Sequence, residues 1–483
     1  MPKITISTLE SLKVLDYCIE TNFYYLDIYL KGFTLNTSKR FLLAITALSS
    51  ISCSGPSLDV GSAVNDSLNG SCSVSDANNQ LFELMQEKYL WNEELPESFN
   101  PDAYDSLSEA LYGLRNEKDH FSFVLTYEEY EDYANSVFFG YGFGHQVTED
   151  ETGLRILYVF DEGSAAQNGL RRGDIITKVG DALVSDLIAQ INAGTTTWTE
   201  QFGPNEDGYT VTVTFEKPSG TEVVADFSKG SIAANTVMAT ETKELTIGGE
   251  DKKVAYMVFD SFKESSQDEF NTAFDKFKTD GVDEMILDLR YNGGGVITTA
   301  NQLSTQIAGD NVEDELFVSF NYNENQSNQN SDVYFSLGEG IEQLNLDRLV
   351  VLTTEGTCSS SELVINSLSP FIDVTVIGDT TCGKPIGMSP ELLCDHVIFA
   401  INFQTENAVG FGDYFDGLPA DCSVDDVVTG DWGDDSDSML NEGLSYLAND
   451  QCSVAATSSK LSSQKQVRKS ISIKDSMLRK NAL

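Results

Sequence analysis

The spacing of hydrophobic residues changes three times along the chain, and each change marks a different architecture. In "ANNQLFELMQEKYLW", Leu81, Leu84, Met85 and Tyr89 recur at helical intervals. "DSLSEALYGL" and "TYEEYEDYA" read as two further short helices, so residues 73–136 are expected to form a small helical region. A different texture begins at "NSVFFGYGFGHQV" and continues through "LRILYVF", "DIITKVGDALV" and "GYTVTVTFEKPSG". Short alternating runs bounded by Gly and Asp predict a compact β-rich module over 137–230. From 231 to 452 apolar runs alternate with amphipathic ones. "VAYMVFDSF", "EMILDLRYNGGG", "RLVVLTT" and "DVTVIGDTTCGKP" read as buried strands, with "TTANQLSTQIAG" and "SSSELVINSL" as helices between them. Such alternation predicts an α/β core, followed by a strand pair in "HVIFAINFQTEN" and a last helix in "DSMLNEGLSYLAND". Residues 54–72 read as a polar tether and 453–483 as a basic, disordered tail.

Composition narrows the partners. The 483 residues are 41% hydrophobic, enough for real cores, and carry 76 acidic against 30 basic side chains, a net charge of −46. A surface so anionic repels nucleic-acid phosphates and acidic lipid, and neither is expected as a partner. Near the start, Lys39 and Arg40 precede an apolar stretch from Phe41 to Leu48 and then small residues leading to Cys53. This is the order of a secretory signal, with an apolar stretch too short to span a bilayer. A cysteine directly after Ser50-Ile51-Ser52 resembles a bacterial lipoprotein cleavage site: the leader and signal segment, residues 1–53, would end at Cys53, which is kept on cleavage as the lipidated first residue. Cleavage by an ordinary signal peptidase is the alternative, since Ser50 stands where that site usually has Leu. Residues 1–37 extend upstream of a normal signal, as a start assigned too early would. Both routes predict export to the cell envelope, on the periplasmic side. Any membrane attachment would then run through the lipid on Cys53 alone.

Three serines, Ser359 to Ser361, open the predicted helix "SSSELVINSL". One reading is a polar cap, because Ser359 and Glu362 stand in the S-x-x-E relation of a capping box. The other is a nucleophile, which needs a base within reach and donors aimed at a developing oxyanion. The three histidines, at 120, 145 and 396, are poorly placed and form no H-E-x-x-H. A lysine can act as base when burial lowers its pKa from about 10.4 toward 7–8. Lys384 follows the strand "DVTVIGD", which should lie beside the strand before Ser359, so both turns would meet at one sheet edge. With Cys18 in the leader and Cys53 set aside for lipid, six cysteines remain: 72, 358, 382, 394, 422 and 452. An even count in an exported chain suggests disulfides. A Cys358–Cys382 bridge would tie the serine turn to the lysine turn, unless each is only a small buried residue. The remaining pairs would be Cys394–Cys422 and Cys72–Cys452. The acidic run "DDVVTGDWGDDSD" lacks calcium-loop spacing and reads as a solvated face.

These segments together resemble the C-terminal processing (tail-specific) serine peptidases over residues 75 to 450. "ILDLRYNGGG" resembles their L-D-L-R-x-N-x-G-G signature, "EGTCSSSE" their G-[ST]-A-S-A-S-E block, and "GDTTCGKP" their G-x-x-T-x-G-K. The resemblance implies a crotonase/ClpP-like α/β peptidase core with Ser359 as nucleophile and Lys384 as general base. Its oxyanion donors would be the N–H groups of Ser360 and of Gly294 or Gly295. The chemistry would need no cofactor and no metal. The β-rich module then resembles the PDZ domain of that family, through "GSAAQNGLRRGDIITKVGD", with Tyr141, Gly142, Phe143 and Gly144 as the loop binding a peptide carboxylate. Substrates would be unfolded or flexible protein C-terminal tails. The family's usual Gln four residues after the lysine is Met388 here, which keeps a non-catalytic peptide-binding protein open as the alternative. A Ser-Lys enzyme of the β-lactam-binding type would need S-x-x-K, which Ser359-Ser360-Ser361-Glu362 lacks.

Overall fold

A computed structural model describes residues 72–134 and 137–453. The lipidation site expected at Cys53, the leader, most of the tether and nearly all of the C-terminal tail lie outside the described residues.

The helix Val74–Lys88 starts at Ser73, whose side chain accepts from the Asp76 N–H. It buries Ala77, Leu81 and Met85 along one face, against the helix Leu107–Leu114. That face does not close on itself. It shares a core with Ile386, Leu393, Ile398 and Ile401, far along the sequence. The N-terminal region is also not wholly helical, because Phe123–Thr126 is a strand paired antiparallel with His396–Phe399.

The β-rich module is an antiparallel sheet in the order Phe143–Val147, Leu154–Val159, Ile175–Val179, Thr210–Glu216, Glu222–Ser228. The strand before it, Val137–Gly140, pairs with the strand after it, Gly230–Ala233. Its core of Phe143, Ile156, Ile176, Val213, Phe215 and Phe227, among others, is a cluster of its own.

The α/β region is built on a six-stranded sheet: Val237–Ile247, Glu250–Phe259, Glu284–Asp288, Arg348–Thr353, Asp373–Gly378, Cys422–Ser423. The first pair is an antiparallel hairpin turning on Gly248 and Gly249, both at positive φ, which a tight two-residue turn requires. All later neighbours are parallel. Ala255, Met257 and Phe259 point to one face, toward Ser266–Asp280, Ile297–Ala308 and Ser360–Leu368. Val254, Tyr256 and Val258 point to the other, toward the last helix, Ser438–Asn449. Burial on both faces is why these strands read as unbroken apolar runs. No helix among the described residues is long and apolar enough to cross a membrane.

All six cysteines among the described residues are paired. Cys358 joins Cys382, but the other two bonds differ from expectation: they are Cys72–Cys394 and Cys422–Cys452. The reason is packing. The first helix lies on the strands around 391–399, which brings Cys72 to Cys394 with Cα atoms 6.1 Å apart. The last helix crosses the central sheet and returns Cys452 to the edge strand at Cys422.

Candidate active site

Three parallel strands end at one edge of the central sheet, and the turns that follow them meet there. Glu284–Asp288 leads into the glycine turn, Arg348–Thr353 into the serine turn, and Asp373–Gly378 into the lysine turn.

Two of the three serines are committed to structure. Ser361 Oγ donates to the Asn292 carbonyl at 2.9 Å, and Ser360 Oγ to the Gly295 carbonyl at 2.7 Å. Both are buried. The Cys358 N–H adds a third stitch, to the Asn292 carbonyl. Ser359 is different. It is partly exposed, at φ 56° and ψ −115°, a backbone region that costs a non-glycine residue about 1–3 kcal/mol. It is also the helix N-cap, and the Glu362 carboxylate receives its N–H at 2.9 Å.

The glycine turn fits against it. A Cβ on Gly294 would lie 2.7 Å from that of Ser359, and one on Gly295 would lie 2.1 Å from the Phe262 carbonyl oxygen. Both have positive φ, so glycine is required on two counts. The Gly294 N–H donates to Asn292 Oδ1 at 2.9 Å. Of the two glycines considered as oxyanion donors, Gly294 is therefore already engaged.

Lys384 is 3% exposed, and burial lowers its amine to about 8 against opposing pulls from Asp119 and Glu362. Its ammonium sits over the Phe121 ring, 5.4 Å from the centroid. No hydrogen bond joins Ser359 Oγ to Lys384 Nζ among the described residues; such bonds are often long before substrate arrives. The two turns are instead clasped by other means. The Cys358–Cys382 bond spans them, the Cys382 N–H donates to the Thr357 carbonyl, and Glu362 holds both. The Glu362 carboxylate receives Thr381 Oγ1, Gly383 N, Lys384 N and Ser359 N. Burial raises its pKa, and those four donors oppose that rise only in part. Sequence reasoning had assigned Glu362 only a capping role and had missed Asp119 and Phe121 altogether. Met388 is half-buried among apolar side chains and offers Lys384 no polar partner.

In the β-rich module, Tyr141 and Phe143 are fully buried, so their rings belong to the core. Tyr141 Oη donates to the Phe202 carbonyl at 2.7 Å. Gly142 has φ 94°, and a Cβ there would lie 2.7 Å from Gly163 Cα. The module meets the core through charge. Arg172 lies 3.7 Å from both Asp426 and Asp437, and donates to Tyr291 Oη. Arg290, just before the glycine turn, pairs with Asp288 at 2.7 Å, Asp426 at 2.9 Å and Asp437 at 3.0 Å. Burial would raise the Asp426 carboxyl, but Arg290 and Arg172 hold it below the usual range. The acidic run expected to be a solvated face thus sends two carboxylates inward.

Residues 253–407 match the profile of Peptidase family S41, and residues 76–123 that of the Peptidase S41 N-terminal domain. Both matches are to peptidase family S41. The glycine, serine and lysine turns all fall within the first of these matches, and Asp119 and Phe121 within the second. A carboxyl-terminal-processing protease of Picosynechococcus sp. is 25% identical over 311 residues, which are 64% of this chain and 68% of that protein. The carboxy-terminal processing protease CtpB of Bacillus subtilis is 21% identical over 266 residues, 54% of this chain and 49% of that one. The chain thus spans about half the length of the Bacillus relative. The fold is similar to the solved structure of a protein described as an S41 protease of Bacteroides fragilis NCTC 9343. That likeness has a TM-score of 0.63 at 23% identity, covering 76% of this chain and 96% of that one.

Proposed function

We propose that this chain is a serine endopeptidase that cleaves flexible or unfolded protein C-terminal regions with a Ser359–Lys384 dyad. One observation carries the reading. Of three adjacent serines, two hydroxyls are bonded to the glycine turn, while Ser359 stands on a strained, partly exposed turn that Glu362 and the Cys358–Cys382 bond tie to the turn of a buried lysine. Neutral Lys384 takes the Ser359 hydroxyl proton, and Oγ attacks the scissile carbonyl. The oxyanion accepts hydrogen bonds from the N–H groups of Ser360 and Gly295. The ammonium then protonates the leaving amine, and a water deprotonated by the same lysine releases the acyl group. A base near pKa 8 is suited to both transfers.

In this reading the β-rich module is PDZ-like. A substrate C-terminus adds as a strand to its edge, its carboxylate at the backbone N–H groups of Tyr141 to Gly144. The core is of the crotonase/ClpP type, and the divisions at 73–136, 137–230 and 231–452 separate helical region, peptide module and peptidase. Three disulfides suit an oxidising compartment, in keeping with export to the periplasmic side and an anchor at Cys53. The rival is a peptide-binding protein without catalysis, favoured by Met388.

The test incubates residues 54–483 with an unfolded protein ending in free apolar residues, alongside Ser359→Ala and Lys384→Ala. Cleavage by the unsubstituted protein alone supports the dyad. Binding by all three, with no cleavage across a range of pH, makes the rival correct.

A further inference from the structure

We infer that the N-terminal segment completes the site: Phe121 is the positioning residue of Lys384, doing through its ring face what a polar side chain at 388 would otherwise do. The inference rests on the Ser-Lys reading above. A lysine amine on a four-carbon stem has many orientations, and a general base needs one. Met388 cannot hold it. Glu362 uses its carboxylate on four other donors, including the backbone N–H of Lys384 itself. Among the described residues, what remains against the ammonium is Phe121, with Nζ 5.4 Å from the ring centroid, within the range where an aromatic face attracts a cation.

Phe121 is itself fixed. Its N–H donates to Asp119 Oδ1 at 3.0 Å, and that buried carboxylate also receives Ser122 N, Ser122 Oγ and Tyr89 Oη. Ser122 Oγ in turn accepts the Ile401 N–H, which ties the loop to the peptidase region. The charged groups acting on Lys384 come from two directions: Asp119 on this loop and Glu362 on the serine helix. The ring face interacts with the ammonium more strongly than with the neutral amine. It therefore steadies the stem and holds the amine's titration higher than burial alone would leave it.

The experiment measures kcat, KM and the pH dependence of kcat/KM for Phe121→Leu and Phe121→Met, with Phe121→Tyr as the conservative variant. Both apolar replacements keep bulk and leave the Asp119 hydrogen bonds in place, and two are used so that a folding failure in one does not end the test. The expected result is a kcat about tenfold lower, KM unchanged, and a pH midpoint lower by about half a unit, with Phe121→Tyr restoring both. A loss of activity with an unmoved midpoint, or no change at all, overturns the inference. Lys384→Ala separates this from the dyad itself. If Lys384→Ala still cleaves, the dyad reading fails; if it is dead while Phe121→Leu and Phe121→Met match the parent, only the positioning role falls.

Discussion

Two regions precede the α/β core, and they are attached to it in opposite ways. The N-terminal helices have no core of their own. They share an apolar cluster with residues 386–401, give a strand to the sheet at 396–399, and are fastened by Cys72–Cys394. The β-rich module closes its own core and meets the peptidase region through Arg172, two aspartates and Tyr291. Apolar cores are close-packed and resist displacement, whereas a buried charge cluster depends on every partner being present. The first region is therefore a fixed part of the site. The second is joined by contacts whose strength changes when any one charge moves.

Substitutions can break this contrast. The largest effect is expected from Arg290→Met, which leaves Asp288, Asp426 and Asp437 without their shared cation. Denaturant unfolding should show a loss of about 3–5 kcal/mol, and cleavage should fall because the glycine turn follows directly. Leu81→Ala opens a cavity in the shared core and should cost about 3 kcal/mol. Because that core reaches the lysine turn, cleavage and stability should fall together. An unchanged cleavage rate would mean that the N-terminal weld is not part of the site. Replacing Cys72 and Cys394 by serine should cost about 2–3 kcal/mol, read from the denaturation midpoint, and leave cleavage by the folded protein intact. Val213→Ala should cost about 2 kcal/mol within the β-rich module alone, with hydrogen exchange faster there and unaltered in the central sheet.

The smallest perturbation is pH. Burial holds the Lys384 amine near 8, and only the neutral amine can act as base, so cleavage should rise with pH and be half-maximal near that value. Asp119 stabilises the ammonium, so Asp119→Asn should move the midpoint to lower pH. A midpoint near the ordinary lysine value would show that the pocket is open to water in solution.

Much of the core was readable because its requirements are local. Apolar runs marked the central strands, since burial on both faces leaves no room for alternation. The glycines of "RYNGGG" and the small residues of "GTCSSSE" marked turns where a backbone at positive φ and a close approach exclude larger side chains. Such conditions are written in neighbouring residues, so Ser359, Lys384 and the pair Gly294 and Gly295 could be named as candidates before their positions were known. The strand Phe123–Thr126 was harder, because a short apolar run beside helices carries no mark of its remote partner.

What the chain order could not decide is which distant surfaces meet. Whether Cys72 would reach Cys394 or Cys452 depended on where the first helix lies, and cysteine spacing carries no such information. The four-donor clasp of Glu362, the descent of Arg172 onto Asp426 and the Phe121 ring beneath Lys384 are likewise products of packed layers. The sequence alone determined the turns and the strands that carry them, because backbone geometry is satisfied within a few residues. Only the tertiary structure decided what surrounds the lysine, because the burial and charge that set its proton affinity come from segments brought together by folding.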